Sequence, residues 1–420
     1  MLFDAFAWLK QNRLDPADPS HARMWPGYTD LRETWDGDLP GVWLDWQDYK
    51  AQRELIDFYE MLERPLEKGL APSCPVLVVD EYHDATPLMA ELSEMWMDAA
   101  DIVIVAGDPH QVVNSYDGAD PEFFERLDLP KVLLDHTYRV PENLWRLGAS
   151  MLSFAHSPPP VDREAGGYID EYRSPTFRYD HSSGWDVPDP QAVAGPVWLT
   201  DEYDGRTLFL SRTKMQAAGV GRALDKIGVI YGSQKGIGGW HEGSDRLQLH
   251  NALQTIAQIE PGDFQQSGGV TSYGTSQHNP NRVHLSPCEA TTLLKYTKHE
   301  YLPRTRHEIE EACVDIRTVD DDVSLAELNS LVDDEFWQTH TAGRSAVERM
   351  NTGSFADHER LSLKAALERY DGPVAPDEQQ AEVMTIHASK GKGAENVVLY
   401  DGTSPRAAKE LERSESTRKN

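Results

Sequence analysis

Cysteine is nearly missing from this chain: Cys74, Cys288 and Cys313 are its three, scattered and odd in number. They support neither a disulfide framework nor a cysteine-based zinc site. No apolar run is long enough to span a bilayer, and Met1-Leu-Phe-Asp-Ala-Phe-Ala-Trp-Leu-Lys10 lacks the layout of a signal peptide. We therefore expect a soluble, cytoplasmic protein with no membrane partner. Bases are scarce as well: 40 Lys and Arg stand against 70 Asp and Glu, a net charge of −30. A nucleic-acid binder ordinarily shows the opposite excess. Either the chain does not touch nucleic acid, or its acids form the solvating surface of a halophile. Acid spread along the whole chain and arginine in excess of lysine favour the halophilic reading. In roughly molar salt the screening length falls to about 3 Å, so net charge no longer repels DNA at a distance. Counterion release also weakens there, and stacking on aromatics gains weight.

What is present is organised around Val76–Ala119. Val76-Leu-Val-Val-Asp-Glu-Tyr-His-Asp84 reads as a buried strand that delivers carboxylates at its C-terminal end. Thr86 and Pro87 suit the N-cap and first position of a helix that carries Leu88, Met89, Leu92, Met95 and Trp96. Ile102-Val-Ile-Val-Ala106 is a second strand, ending in Gly107-Asp-Pro-His-Gln111. Apolar strands without alternation, separated by a helix, predict a parallel sheet covered on both faces, with ligands beyond the strands' carboxyl ends. An Asp-Glu pair there suits metal–phosphate chemistry: Asp80 would hold Mg²⁺ and Glu81 would polarise water. Gln111, one strand over, would sense a terminal phosphate. The same pair is also compatible with an acidic loop that caps a helix.

Three strings in order, Asp80-Glu-Tyr-His-Asp84, Gly107 through Ala119, and Leu134-Asp-His-Thr-Tyr-Arg139, resemble motifs II and III and the following Tyr-Arg segment of the UvrD/Rep family of superfamily 1A DNA helicases. Val383-Met-Thr-Ile-His-Ala-Ser-Lys-Gly391 resembles motif V. The resemblance implies ATP and Mg²⁺ as cofactors and single-stranded DNA as partner. It assigns Asp80 to Mg²⁺, Glu81 to the hydrolytic water, Gln111 to coupling of phosphate and DNA, and Arg139 to charge on the γ-phosphate. Tyr138 would stack on adenine, and Glu395 would reach the ribose, though it is displaced from the family's position. Tyr116, Arg212, Thr385, His387 and Lys390 fall at DNA-contacting positions. Stacking of the Tyr116 type is worth about 1–3 kcal/mol per base; a tyrosine half-buried under a loop is an equal alternative, as is a surface role for Arg212. Asp117 stands where the family often has arginine, and His83 where glutamine is usual.

No G-x-x-x-x-G-K-[ST] occurs in the sequence, and Gly232-Ser-Gln-Lys-Gly236 and Gly391-Lys-Gly393 have the wrong spacing. Motif VI, with its arginine, is not found either. The expectation is therefore an α/β fold of RecA-like parallel-sheet domains (phosphate-loop NTPase type) with an inserted all-helical domain, forming an incomplete helicase core. Residues 1–130 would be a partial first RecA-like domain, and 131–240 the start of a second, with Lys131–Leu134 opening its sheet. Residues 241–375 would be the helical insertion, and 376–420 the return to the second domain. Along the way, residues 1–50 show no clear period, Asp15–Pro19 and Gly37–Gly41 read as loops, and Ala51–Leu70 reads as one helix with Leu55, Ile56, Tyr59, Leu62 and Leu66 on a face. Residues 156–195 and 261–282 read as surface connections, and Ser286 and Ser324 as capping-box starts. Function follows as an ATP-dependent, 3′-to-5′ helicase or translocase present as an incomplete chain. Its partners would be DNA, the missing helicase segment or other DNA-repair proteins. The alternative is a non-catalytic DNA- or partner-binding helicase remnant.

Overall fold

Residues 1–50 are helical despite their lack of period. In the computed structural model α1 spans Leu2–Gln11, α2 Pro19–Ala22, α3 Tyr28–Thr34 and α4 Leu39–Arg53. The structure describes residues 1–112, 115–134, 137, 138, 140–150, 178–180, 185–187, 205–241, 243–258, 284–302, 304–318, 321–328, 331, 332, 347, 350, 351, 353 and 355–400. Two compact units result, Met1–Ile169 and Asp170–Asn420.

Helix starts in the first unit are set locally. The Asp18 carboxylate accepts from Ser20 N–H, and Pro19 occupies the first turn of α2. α4 runs through Pro40 and Gly41, which corrects the loop expected at 37–41; a first-turn proline has no intrahelical N–H bond to lose. It stops at Glu54, whose backbone is left-handed (φ 55°). That stop also corrects the helix expected over Ala51–Leu70. α5 covers Phe58–Glu67 and buries Tyr59 and Glu63, while Leu55 and Ile56 remain exposed. Lys50, 2% exposed, is neutralised by Asp57 at 2.6 Å and Glu60 at 2.8 Å. A buried ammonium requires such pairing.

Strands β1 (Val76–Val79) and β2 (Ile102–Val105) pair in parallel, Val76 opposite Ile102 and Val79 opposite Val105. The connecting helix α6 (Pro87–Ala99) is capped by Thr86, whose Oγ1 accepts from Met89 N–H. Leu88 of α6 joins Phe6, Trp43 and Tyr59 in one core, and Ala90 joins Tyr82 and Ala85 in another, against Val79 and Val105. The expected cover on both faces is not met among the described residues. Alternate side chains point to opposite faces, and Val76, Val78, Ile102 and Ile104 are 46%, 61%, 55% and 53% exposed. Two short helices follow, α7 (Glu122–Glu125) and α8 (Glu142–Ser150). Lys131–Leu134 forms no strand: it is irregular, exposed, and without a partner strand among the described residues.

In the second unit β3 (Arg178–Asp180) and β4 (Trp185–Val187) form an antiparallel pair. The principal sheet comprises β5 (Thr207–Ser211), β6 (Tyr231–Ser233), β9 (Ala381–Thr385) and β10 (Asn396–Leu399), in the order β10-β5-β9-β6 and parallel throughout. Helix α9 (Lys214–Lys226) starts at a Thr213 capping box. Between β6 and β9 lie α10 (Asp245–Ala257), α11 (Pro287–Tyr296), α12 (Arg306–Arg317), α13 (Leu325–Leu328) and α14 (Asp357–Arg369). This segment is not purely helical, since β7 (His284–Leu285) and β8 (Val323–Ser324) pair antiparallel. The capping boxes at Ser286 and Ser324 are both formed. Phe209, Leu224, Trp240, Leu253, Leu294 and Leu363 belong to one core, so sheet and helices are packed together. Asp225 is buried among Trp240 Nε1–H and Arg246, both at 3.0 Å.

Candidate functional site

The carboxyl ends of β1 and β2 bring the acidic string and the Gly107–Gln111 loop together. Ala106 N–H donates to Val79 C=O at 2.8 Å, and Tyr82 N–H to Ala106 C=O at 3.0 Å, so the strand ends stay paired past the last strand residues. Asp80 is exposed there, its Oδ1 accepting from Glu81 N–H at 2.9 Å. Glu81 takes a left-handed backbone (φ 53°, ψ 32°), a conformation that costs a non-glycine residue about 1–2 kcal/mol. Tyr82 turns inward, and burial, helped by Glu94, pushes its phenol up to about 12; it packs and stays neutral.

Across from them, Asp108 organises the second loop. Its Oδ1 accepts from His110 N–H at 3.0 Å and its Oδ2 from Gln111 Nε2 at 2.7 Å. His83 is wholly buried between the two strings, and its Nδ1 accepts Asp108 N–H at 2.9 Å. Gly107 sits close to that ring: a Cβ there would lie 3.1 Å from His83 Nδ1 and 3.3 Å from His83 N. Helix α1 buttresses both strings from its C-terminal end. Gln11 Oε1 accepts from Thr86 Oγ1 at 2.8 Å, and Asn12 Nδ2 donates to Asp117 C=O at 3.2 Å. Gly118 (φ 98°) lets the chain pass Asn12, whose Oδ1 would be 2.3 Å from an added Cβ. Asp108, Gln11 and Asn12 were not legible as site residues; the Asp-Pro pair at 108–109 is the one local signal, a side chain poised to cap a turn.

Asp80, Glu81 and Gln111 therefore share one end of one sheet. Tyr116 lies in the 3-10 turn Ser115–Asp117, Tyr138 is 72% exposed, and Arg139 is outside the described residues. Among the described residues no group of His, Cys, Asp or Glu side chains is arranged to hold a metal by itself. The donor set still suits Mg²⁺, which is typically held by one or two carboxylates plus waters and substrate phosphates. Asp80 would be that carboxylate.

In the second unit Arg212 directly follows β5, exposed, and Thr385 ends β9, buried. Thr385 Oγ1 donates to Gln234 Oε1 at 3.1 Å and accepts Ala388 N–H at 3.2 Å, fixing the turn that carries His387 and leads to Lys390. These residues share the carboxyl edge of the sheet. Glu395 does not: it immediately precedes β10, at the amino edge, where its carboxylate accepts Arg206 N–H at 2.9 Å. That hydrogen bond holds its pKa below the usual range.

Residues 9–130 match the family described as the UvrD/REP helicase N-terminal domain. The ATP-dependent DNA helicase UvrD2 of Mycobacterium bovis is 24% identical over 248 residues, covering 54% of this chain and 34% of that protein. The proteins of the same name from two Mycobacterium tuberculosis strains match to the same extent. The match thus spans about a third of the length of these relatives. The parallel strands and their connecting helix lie inside the matched domain, so over residues 9–130 the chain is UvrD/Rep-like.

Proposed function

We propose that this chain supplies the water-activating and Mg²⁺-binding portion of an ATP-dependent DNA helicase or translocase acting on single-stranded DNA. The observation that carries the reading is the meeting of Asp80, Glu81 and Gln111 at the adjoining carboxyl ends of β1 and β2. In this reading Mg²⁺ neutralises charge on the transferred phosphoryl group when bound. Asp80 ligates it, Glu81 accepts a proton from the attacking water, and Gln111 contacts the terminal phosphate. Arg139 adds charge stabilisation and Tyr138 stacks on the base. Tyr116, Arg212, Thr385, His387 and Lys390 serve DNA, and movement is 3′ to 5′ as in the family. Glu395 would reach a nucleotide only if it gave up Arg206. The phosphates themselves need a loop of the G-x-x-x-x-G-K-[ST] kind, which a further helicase segment would bring. The domain division expected from sequence stands as part of this proposal, as do the halophilic surface and a role beside other DNA-repair proteins.

One observation favours a second reading, a partner-binding helicase remnant without turnover: the exposed face of β1 and β2 is apolar and uncovered among the described residues. Hydrolysis of ATP by the purified chain, in high KCl with Mg²⁺, with and without single-stranded DNA, tests the two. DNA-stimulated turnover that Asp80→Ala abolishes supports the motor. Absence of turnover with DNA still bound fits an incomplete motor or the remnant alike; turnover restored by an added helicase segment that carries the phosphate loop supports the former, and none on that addition supports the remnant.

A further inference from the structure

Glu81 and Gln111 stand on neighbouring strands, and a buried imidazole lies between their loops. We propose that His83 is a positioning residue that holds the Glu81 carboxylate and ties it, through Asp108, to Gln111. The inference rests on the role given to Glu81 above. Its geometry is specific. Nδ1 of His83 accepts the backbone N–H of Asp108 at 2.9 Å, so the lone pair is on Nδ1 and the ring proton on Nε2. The ring is 0% exposed, so that N–H must find its acceptor inside the protein. Two carboxylates are near: Glu81 Oε2 at 3.2 Å and Asp84 Oδ1 at 3.8 Å. Only the first is within hydrogen-bonding distance.

The left-handed turn at Glu81 serves the same contact, returning its side chain toward a ring two residues later. On the other side, Asp108 receives Gln111 Nε2 at 2.7 Å. A series of polar contacts thus runs from Glu81 Oε2 to His83 Nε2, from His83 Nδ1 to Asp108 N–H, and from Asp108 Oδ2 to Gln111 Nε2. Such orienting contacts fix the tautomer and direction of a reacting group's neighbour, as outer-shell partners do for metal ligands.

The test uses the full chain. Proton–nitrogen NMR of the histidine rings, with His83→Gln identifying the His83 signals, reads the tautomer directly. We expect the Nε2–H form, with its N–H proton shifted strongly in Glu81→Ala and little in Asp84→Ala. An Nδ1–H tautomer, or a shift confined to Asp84→Ala, overturns the proposal. ATP turnover supplies the second arm. His83→Leu should lower kcat about tenfold, and His83→Gln, which can accept and donate at the same places, should stay within about threefold of the parent. Equal losses in the two variants would reduce His83 to packing. If Glu81→Gln leaves turnover unchanged, the catalytic reading of Glu81 falls; with or without turnover by the chain alone, the NMR result decides whether His83 holds the Glu81 carboxylate.

Discussion

At the scale of single residues, the site trades local comfort for placement. Glu81 keeps a left-handed backbone that glycine would adopt more easily, and Gly107 leaves room for an imidazole that an added Cβ would crowd. Gly107→Ala should therefore destabilise the first unit by about 1–3 kcal/mol, the usual penalty for overpacking a closed site. Urea denaturation, followed by the fluorescence of its many tryptophans, reads that loss; an unchanged midpoint would mean that His83 moves aside at no cost. The residue identities were legible in part. The placement of Asp80 and Glu81 at the end of an apolar run, and of Gln111 in the loop after a second run, could be read locally, because a run with its successor is a local pattern. The partners of His83 depend on the register of Val79 opposite Val105, which no string of letters displays. Glu395 shows the same limit, since reading along the chain from Lys390 gives no hint that the backbone crosses to the other edge of the sheet.

Elements were legible where their signals are local. Thr86, Thr213, Ser286 and Ser324 cap helices as their side chains suggest, because a cap involves residues three positions apart. Thr86→Ala should cost about 1 kcal/mol from the cap alone. Because Thr86 also donates to Gln11, the melting point should fall further than in Gln11→Ala. Equal falls would place the whole effect in the contact with α1. At the other end of α4, Glu54 closes the helix in a left-handed conformation. Glu54→Gly should stabilise by about 0.5–1 kcal/mol, as removal of a Cβ at such a C-terminal position does. The first helices escaped sequence reading because tryptophan, aspartate and proline mask their period. Val132–Leu134 was misread for the opposite reason: an apolar run resembles a strand whether or not another strand exists to receive it.

For the whole molecule, acidity and burial set the response to conditions. His250 is fully enclosed, and burial pulls its pKa from 6.5 to about 4. Between those values the unfolded chain binds the proton and the folded chain does not. His250 thus contributes its stability in full above pH 6.5 and loses it as pH falls toward 4, by up to roughly 3 kcal/mol. Urea midpoints measured from pH 7 down to 4.5 should show this slope, and His250→Gln should flatten it. A net charge of −30 predicts a second dependence. Raising KCl from about 0.1 to 1 M shortens the screening length from about 10 to 3 Å and should raise the melting temperature. A flat or falling trend would argue against a halophilic surface.

The strand order β10-β5-β9-β6 bears on how the molecule is made. β9 lies between β5 and β6, yet it begins at Ala381, long after β6 has ended at Ser233. At about 5–20 residues per second, a ribosome would leave that central slot open for roughly 7–30 s. During this interval the two earlier strands cannot pair with each other in their final places, and the intervening helices have time to assemble first. Birth order and spatial order thus differ in this sheet: one of its two inner strands arrives late, and a nascent chain halted before Ala381 would carry helices around a gap.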